Sequence, residues 1–364
     1  MEYSMNEIEK KVKKFKRKKL LYRPTPISRL DKITEILKGP NVFMKREDLA
    51  GLALGGNKTR KLEYIIQDVF DSHSDVIITW GSVQSNWCLQ TAAAARKCGI
   101  KPILLLLKTY EIQKEMDGNL LMDFILDADI RIMDAKKGSV VKAKDVEDIL
   151  EKISNEVKED GHKAYTAPIG GSMTGFSMKI PLGTIAYVDA YLELKSQMKS
   201  MNKDIDCIVL ASGSGSTQAG LIAGAKLCGD DTKILGISVS DEKEGFSREI
   251  EKITEQVGDC LEVNMDLTDE DIIVLDDYIG EGYGILNEKV SQAIRLMALN
   301  EGIFVDPIYT GKAFLAIIDL AEKGFFNENE NVLFIHTGGT SALFPHKQGI
   351  KKFLSEKQKI RNKI

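Results

Sequence analysis

Short, continuously apolar runs that alternate with helical stretches constrain this chain more than any other feature. Asp75 to Thr79, Pro102 to Leu107, Ile130 to Met133 and Lys163 to Ala167 read as strands. Between them, Asn86 to Cys98 (rich in alanine), Asn119 to Leu126 and Val146 to Val157 carry helical patterns. After a loop rich in Gly, Ser and Met, from Ile169 to Met178, Pro181 opens a long helix to about Met198. Asp206 to Ala211, Lys233 to Val239, Ile272 to Leu275 and Val332 to His336 are further strands separated by helices. A strand apolar on both faces belongs inside a parallel sheet covered by helices on each side. The predicted fold class is therefore α/β with parallel sheets. Ligands of such sheets sit beyond the carboxyl ends of strands, where loops enter helices. The informative residues belong in those loops.

A length of 364 residues suggests two or three domains. There is no tandem repeat and no low-complexity linker, so the boundary is expected to be discontinuous. With 50 basic and 54 acidic residues, no global positive field gathers nucleic acid. The longest strongly apolar run, Ile103 to Leu107, falls far short of the ~20 residues of a membrane helix. The cysteines (Cys88, Cys98, Cys207, Cys228, Cys260) are odd in number and form no C-x-x-C pair, as expected of free thiols in a reducing compartment. His73, His162, His336 and His346 are scattered, so no metal site is expected. With no apolar signal core at the start, a cytoplasmic enzyme is the expectation. Residues 1–20 hold eight Lys/Arg and three Glu, with Ile8, Val12 and Phe15 on one helical face. That pattern predicts a surface helix packed on the body; a membrane or RNA arm fits poorly with an otherwise acidic chain.

Gly55-Gly-Asn-Lys-Thr-Arg-Lys61 places two glycines before a helix that begins at about Thr59. Cations favour helix C-termini, so Lys58 at a helix start is odd for a structural lysine. The positive helix end lowers an amine's pKa, which suits a reactive lysine. A solvated loop lysine is the alternative, and spacing alone leaves both open. The Walker phosphate loop is a near miss, because Asn57 separates Gly56 from Lys58. In Ser82-Val-Gln-Ser-Asn-Trp87, helix-start N–H groups and the Ser85 hydroxyl suit a small carboxylate, or simply cap the helix. In Ser212-Gly-Ser-Gly-Ser-Thr-Gln-Ala-Gly220, small residues let backbone N–H groups converge on a phosphate. The competing dinucleotide fingerprint lacks its third glycine, at Gln218, and leaves Lys58 unexplained. Gly280-Glu-Gly-Tyr-Gly284, Asp306-Pro-Ile-Tyr-Thr-Gly-Lys312 and His336-Thr-Gly-Gly-Thr340 put Tyr283 and Tyr309 in loops among small neighbours.

Taken jointly, Lys58 in its Gly-Gly-Asn-Lys-Thr-Arg-Lys string, Gln84-Ser-Asn86, Gly215-Ser-Thr-Gln-Ala-Gly220, Tyr309-Thr-Gly-Lys312 and His336-Thr-Gly-Gly339 resemble one family in order and spacing. It is the D-cysteine desulfhydrase / 1-aminocyclopropane-1-carboxylate deaminase family, and the resemblance runs from about Arg23 to Pro345. It implies the tryptophan-synthase-β-like fold (fold type II of pyridoxal-phosphate enzymes), with two parallel-sheet α/β domains and the active site between them. Residues 1–61 with 187–364 would form the large, cofactor-binding domain and 62–186 the small one. Pyridoxal 5'-phosphate, a small amino-acid substrate and a homodimer are also implied.

The resemblance assigns Lys58 the Schiff base and the Cα proton. Asn86 would bond the cofactor's phenolic oxygen, and Ser85, with Gln84, the substrate carboxylate. Gly213, Ser214, Gly215, Ser216 and Thr217 would cradle the phosphate. Tyr283 and Tyr309 would flank cofactor and substrate, and Thr337 would contact the pyridine nitrogen. Ring-opening deaminases of the family have Glu where this chain has Thr310 and Leu where it has Thr337. A carboxylate near the pyridine nitrogen strengthens the electron sink and a hydroxyl does not. The expectation is therefore a carbon–sulfur lyase acting by α,β-elimination, D-cysteine giving pyruvate, ammonia and hydrogen sulfide. Ring opening, elimination from cysteate, serine or diaminopropionate, and a non-catalytic cofactor carrier are the alternatives. The family usually has His where this chain has Trp87, which either packs between helix and sheet or reshapes the substrate pocket.

Overall fold

The computed structural model describes residues 3–109 and 116–354. The chain begins with α1 (Met5–Val12), β1 (Ile27–Arg29), α2 (Asp31–Leu37), β2 (Asn41–Lys45) and α3 (Lys58–Asp71). It continues through β3 (Val76–Ser82), α4 (Asn86–Lys97), β4 (Lys101–Lys108), α5 (Gly118–Ile125), β5 (Asp129–Asp134), α6 (Glu147–Glu159) and β6 (Ala164–Thr166). Then come α7 (Leu182–Ser200), β7 (Cys207–Ser212), α8 (Ser216–Leu227), β8 (Lys233–Ser238), α9 (Lys243–Leu261) and β9 (Ile273–Leu275). Helices α10 (Glu288–Glu301) and α11 (Thr310–Glu322), strand β10 (Asn331–Ile335) and α12 (Lys347–Leu354) complete it.

The strands form two sheets. One is ordered β5-β4-β3-β6 and the other β1-β2-β10-β7-β8-β9. Every pairing is parallel except that of the edge strand β1 with β2. The four strands of the first sheet lie within residues 62–186, and the six of the second lie outside that range. Strand β3 is buried at each of its positions, and β4 is buried from Pro102 to Leu107. That burial on both faces explains the uninterrupted apolar runs. Each buried leucine or isoleucine there contributes about 1.5–3 kcal/mol relative to exposure. Strand β5 sits at an edge and is half exposed, although Ile130 to Met133 read as a strand like the others.

The basic N-terminal segment is a surface helix packed on the body. Ser4 accepts the Glu7 N–H, and the Glu7 carboxylate accepts the Ser4 N–H at 2.8 Å, a reciprocal cap. Ile8 and Val12 are buried, and Lys11 Nζ donates to Leu261 O at 2.9 Å. The tightest helix pair is α7 on α8. A Cβ on Gly220 would stand 2.4 Å from Thr184 O, and one on Gly224 would stand 2.5 Å from Tyr191 Cβ. The four-residue spacing of these glycines makes a trough on α8, and α7 lies in it.

Candidate active site

A cavity of about 420 Å³ lies between the two sheets. Its wall includes Ser82 at the end of β3, Ser212 at the end of β7, and Thr337, just past β10. These are the carboxyl ends of parallel strands, where the loop–helix motifs converge. The starts of α3, α4 and α8 all face this space through Lys58, Asn86 and Thr217.

Lys58 is the first residue of α3, one position earlier than the sequence suggests. The loop before it is pressed against residues far along the chain. Gly56 forms an isolated antiparallel bridge with Gly338, and Asn57 N donates to Thr337 O at 3.1 Å. Gly56 has φ +129°, and a Cβ there would stand 2.7 Å from Asn86 Nδ2 and 2.9 Å from Thr337 O. Glycine is required by the close approach as well as by the dihedral. The Lys58 amine is partly open to the cavity. Removal from bulk water lowers its pKa to about 8, opposed by a hydrogen bond with Lys61. Lys61, one turn on and fully buried, donates to Ser216 Oγ (2.5 Å) and Gly170 O (3.2 Å). Burial and then the neighbouring Lys58 drive its pKa well down.

The loop before α8 has the form of an anion cradle. Gly215, its N-cap, has φ +76° and supplies no side-chain cap, and Gly213, Ser214, Gly215 and Thr217 line the cavity. Asn57 Nδ2 donates to Thr217 Oγ1 at 3.0 Å, tying the cradle to the Lys58 loop. Ser216 departs from its expected place. Its hydroxyl is buried, accepts from Lys61 and donates to Gly170 O at 3.4 Å, and it does not line the cavity.

At the start of α4, Ser85 is the N-cap, its Oγ accepting the Cys88 N–H at 3.2 Å, and it also lines the cavity. The capping and ligand-facing readings thus coexist in one residue. Gln84 is a correction. Its Nε2 donates to Asp117 O (2.9 Å) and its Oε1 accepts from Asn119 N (2.7 Å), so its amide holds the start of α5 and is turned from the cavity. Trp87 is buried and donates from Nε1 to Thr79 Oγ1 at 2.7 Å, which fixes it between helix and sheet while it lines the cavity.

Tyr283 and Tyr309 meet across the cavity. Their hydroxyls are 2.7 Å apart, and Ser82 Oγ lies 3.3 Å from the Tyr283 hydroxyl. Burial raises the pKa of Tyr283, so it stays a proton carrier at neutral pH. Asp306 fixes Tyr309: its carboxylate accepts from the N–H groups of Ile308 (2.9 Å), Tyr309 (2.9 Å) and Thr310 (2.7 Å). Thr310 is a second departure. Its hydroxyl donates to Asp306 Oδ1 at 2.5 Å and is fully buried, so it offers nothing to the cavity. Thr337 does line it. His336 is buried; its Nδ1 accepts from Gly338 N (3.2 Å) and its Nε2 faces Phe304 O (2.9 Å), which defines a neutral tautomer. Burial lowers its pKa, in keeping with that neutrality.

The residues present fit pyridoxal phosphate. The buried Ser212 Oγ has no hydrogen-bond partner, α8 opens uncapped at its N-terminus, and a partly dehydrated amine faces the same space. A phosphate would be held by the α8 N-terminus with Ser214 and Thr217, the aldehyde by Lys58, and the ring's polar edge by Asn86 and Thr337. The reading from sequence passed over Asn57, Lys61, Ser82 and Asp306. Lys61 and Asn57 carry a signal in hindsight, since both sit within a turn of Lys58. Ser82 carries none, because its importance comes from a tyrosine 201 residues away. Among the described residues, no group of three or more His, Cys, Asp or Glu is placed to hold a metal ion. No helix among them is long and apolar enough to cross a membrane.

A family model described as "Pyridoxal-phosphate dependent enzyme" matches residues 18–338. A crystal structure of an "ACC deaminase homologue" is 36% identical, with a TM-score of 0.84 over 96% of this chain and 99% of that one. The 1-aminocyclopropane-1-carboxylate deaminase of Bradyrhizobium sp. (strain BTAi1) is 34% identical over 91% of this chain and 96% of its own. That of Mesorhizobium japonicum is 34% identical over 91% and 97%.

Proposed function

We propose a reaction for a chain that belongs to the 1-aminocyclopropane-1-carboxylate deaminase family of pyridoxal-phosphate dependent enzymes, with their tryptophan-synthase-β-like fold. It is a pyridoxal-phosphate dependent lyase, and the finer reading is α,β-elimination from a small β-substituted amino acid, D-cysteine foremost. The observation that carries this reading is the wall around the expected pyridine nitrogen. The two positions that distinguish the ring-opening enzymes hold Thr310 and Thr337, and Thr310 is turned onto Asp306. Of the carboxylates that line the cavity, Glu147, Asp241 and Glu249, the last two are paired with Lys142. A wall without a carboxylate at those two positions suits a substrate whose leaving group departs readily, as thiolate does.

When bound, the cofactor supplies the electron sink for the charge left at Cα. The chain's own residues do the rest. The α4 N-terminus and Ser85 orient the substrate carboxylate. Lys58, with an amine already stripped of water, takes the Cα proton at Nζ. The Tyr283–Tyr309 pair, its hydroxyls in contact, hands a proton to the leaving sulfur or stabilises it as an anion. Trp87 and Trp80 close the apolar side and exclude water. A homodimer goes with this reading and is checked by light scattering.

Ring opening is the second reading, favoured by the names of the relatives. One panel separates the two. Purified enzyme given D- and L-cysteine, other β-substituted amino acids and 1-aminocyclopropane-1-carboxylate is scored for sulfide, pyruvate and 2-oxobutanoate. Sulfide with pyruvate is expected, and Lys58→Ala is expected to abolish turnover and covalent cofactor retention. 2-Oxobutanoate from the cyclopropane at a rate matching or exceeding sulfide release would overturn the finer reading. Cofactor binding without turnover of any substrate would support the carrier alternative.

A further inference from the structure

Lys312 is fully buried, yet it lines no part of the cavity and touches no residue given a chemical role above. Its ammonium is spent on backbone carbonyls instead. Nζ donates to Ile279 O at 2.8 Å, Gly282 O at 3.3 Å and Val239 O at 3.4 Å. Two of these belong to the irregular loop 276–287, which carries Tyr283. The third follows β8, against the wall where a Gly213 Cβ would meet Val239 Cγ2 (3.4 Å) and Tyr309 Cε1 (3.2 Å). Lys312 itself lies three residues after Tyr309, on α11. One side chain therefore runs from the helix that presents one tyrosine to the loop that presents the other.

The chemistry explains why a lysine is used. A loop without ladder partners leaves its carbonyls to be satisfied one by one, and a buried orphan carbonyl is costly. A compact ammonium with three donors can serve three carbonyls that converge from different directions. Other contacts hold the same loop from its far side. Tyr283 N donates to Gly138 O at 3.0 Å, and Gly284 O lies 3.0 Å from His346 Nε2. The loop is thus pinned on both flanks of Tyr283; Tyr278 of the loop also donates to Asp319 on α11 (2.5 Å), and Lys312 is the buried pin, three residues from Tyr309.

We infer that Lys312 is a positioning residue, which sets the distance between the Tyr283 and Tyr309 hydroxyls by clamping the Tyr283 loop to the Tyr309 helix. This rests on the reading that the tyrosine pair serves the elimination. The hydroxyl contact of 2.7 Å has little tolerance, so a loop released at Ile279 and Gly282 loses the alignment before it loses the fold.

The test is a double-mutant cycle with a second readout that does not involve turnover. Wild type, Lys312→Met, Tyr283→Phe and the double variant are prepared with cofactor bound. Lys312→Met is expected to lower kcat by about 10- to 100-fold, the scale of a displacement near 1 Å, with KM changed by less than about twofold. On the Tyr283→Phe background the same substitution is expected to cost less than about twofold. In hydrogen exchange by mass spectrometry, Lys312→Met should speed deuterium uptake in 276–287 and leave β10 unchanged. Unchanged exchange in 276–287, or an equal loss of kcat on both backgrounds, overturns the inference. Should Lys312→Met fail to fold, Lys312→Gln, which keeps two donors, runs the same cycle with a smaller expected loss. If Tyr283→Phe alone leaves turnover intact, the reading of the tyrosine pair fails, and the exchange result still decides the clamp.

Discussion

Arg60 lies two residues after Lys58 on α3 and has no exposed surface. Its guanidinium donates to Glu47 through Nε (2.7 Å) and Nη2 (2.9 Å), and to Glu193 through Nη2 (2.6 Å) and Nη1 (3.2 Å). Lys45 Nζ reaches Glu193 at 2.7 Å and Arg23 Nη1 lies 4.0 Å from the same carboxylate, whereas the ion-pair partner of Glu47 among the described residues is Arg60. Arg60→Met fills the space but leaves one uncompensated negative charge where Glu47 is almost wholly buried. Breaking a buried pair from one side costs about 3–5 kcal/mol. At about 2.1 cal/mol/K of unfolding entropy per residue, that corresponds to a fall in Tm of roughly 4–7 °C for a chain of this length. The acid side gives a second number. Burial alone would raise Glu193, but Arg60 and then Lys45 hold its carboxyl down to about 2. A depressed carboxylate contributes stability that is present above its ordinary pKa and is lost as pH falls towards 2. Without Arg60 the folded-state carboxyls take up protons at higher pH and this acid-linked contribution shrinks, so the Tm gap between wild type and variant should narrow on acidification. Differential scanning calorimetry of cofactor-loaded protein at several pH values reads both effects. Adding Glu47→Gln should recover part of the loss, because the stranded charge is then gone. A variant that melts within 1 °C of wild type at neutral pH would refute the reasoning.

Three further outcomes follow from the site. Cofactor uptake by apo-protein, followed by absorbance, should slow about tenfold per pH unit below 8 and level off above it, because only the neutral Lys58 amine attacks; a pH-independent rate would contradict the assignment. Asp306→Asn replaces a carboxylate that accepts three backbone N–H groups with an amide that cannot accept them all. It should cost about 1–3 kcal/mol in urea unfolding and lower kcat through Tyr309, with KM little changed. Gly56→Ala forces a methyl group to within 2.5 Å of Gln90 Nε2 at a φ of +129°, so equilibrium dialysis should show weaker cofactor retention than in wild type.

The alternating pattern of runs made the parallel strands legible from β3 to β10, because strands hidden largely on both faces carry little polar punctuation. Strand β2 escaped notice. Its Asn41 and Lys45 frame only three apolar residues, and Lys45 is buried through Glu193, Gln197 and Thr25, partners invisible in one dimension. Strand β1 is three residues long and half exposed, so it has almost no pattern to read. The glycine-bearing loops at Lys58 and Gly213 stood out because backbone demands are written in residue type. Gln84 and Ser216 misled for the opposite reason. Both sit in the right loops, and which way a side chain turns there depends on Asn119 in one case and Lys61 in the other.

Strand β2 lies between β1 and β10, and the Lys58 loop is pinned by the residues that follow β10. Translation delivers β2 nearly three hundred residues before its central neighbour. Until that late segment leaves the ribosome, β2 has only the short antiparallel β1 as a partner, and a two-stranded pair is marginal in water. Nonsense variants ending anywhere upstream of residue 331 should therefore yield no partial holoenzyme, however much of the cofactor-contacting sequence they retain.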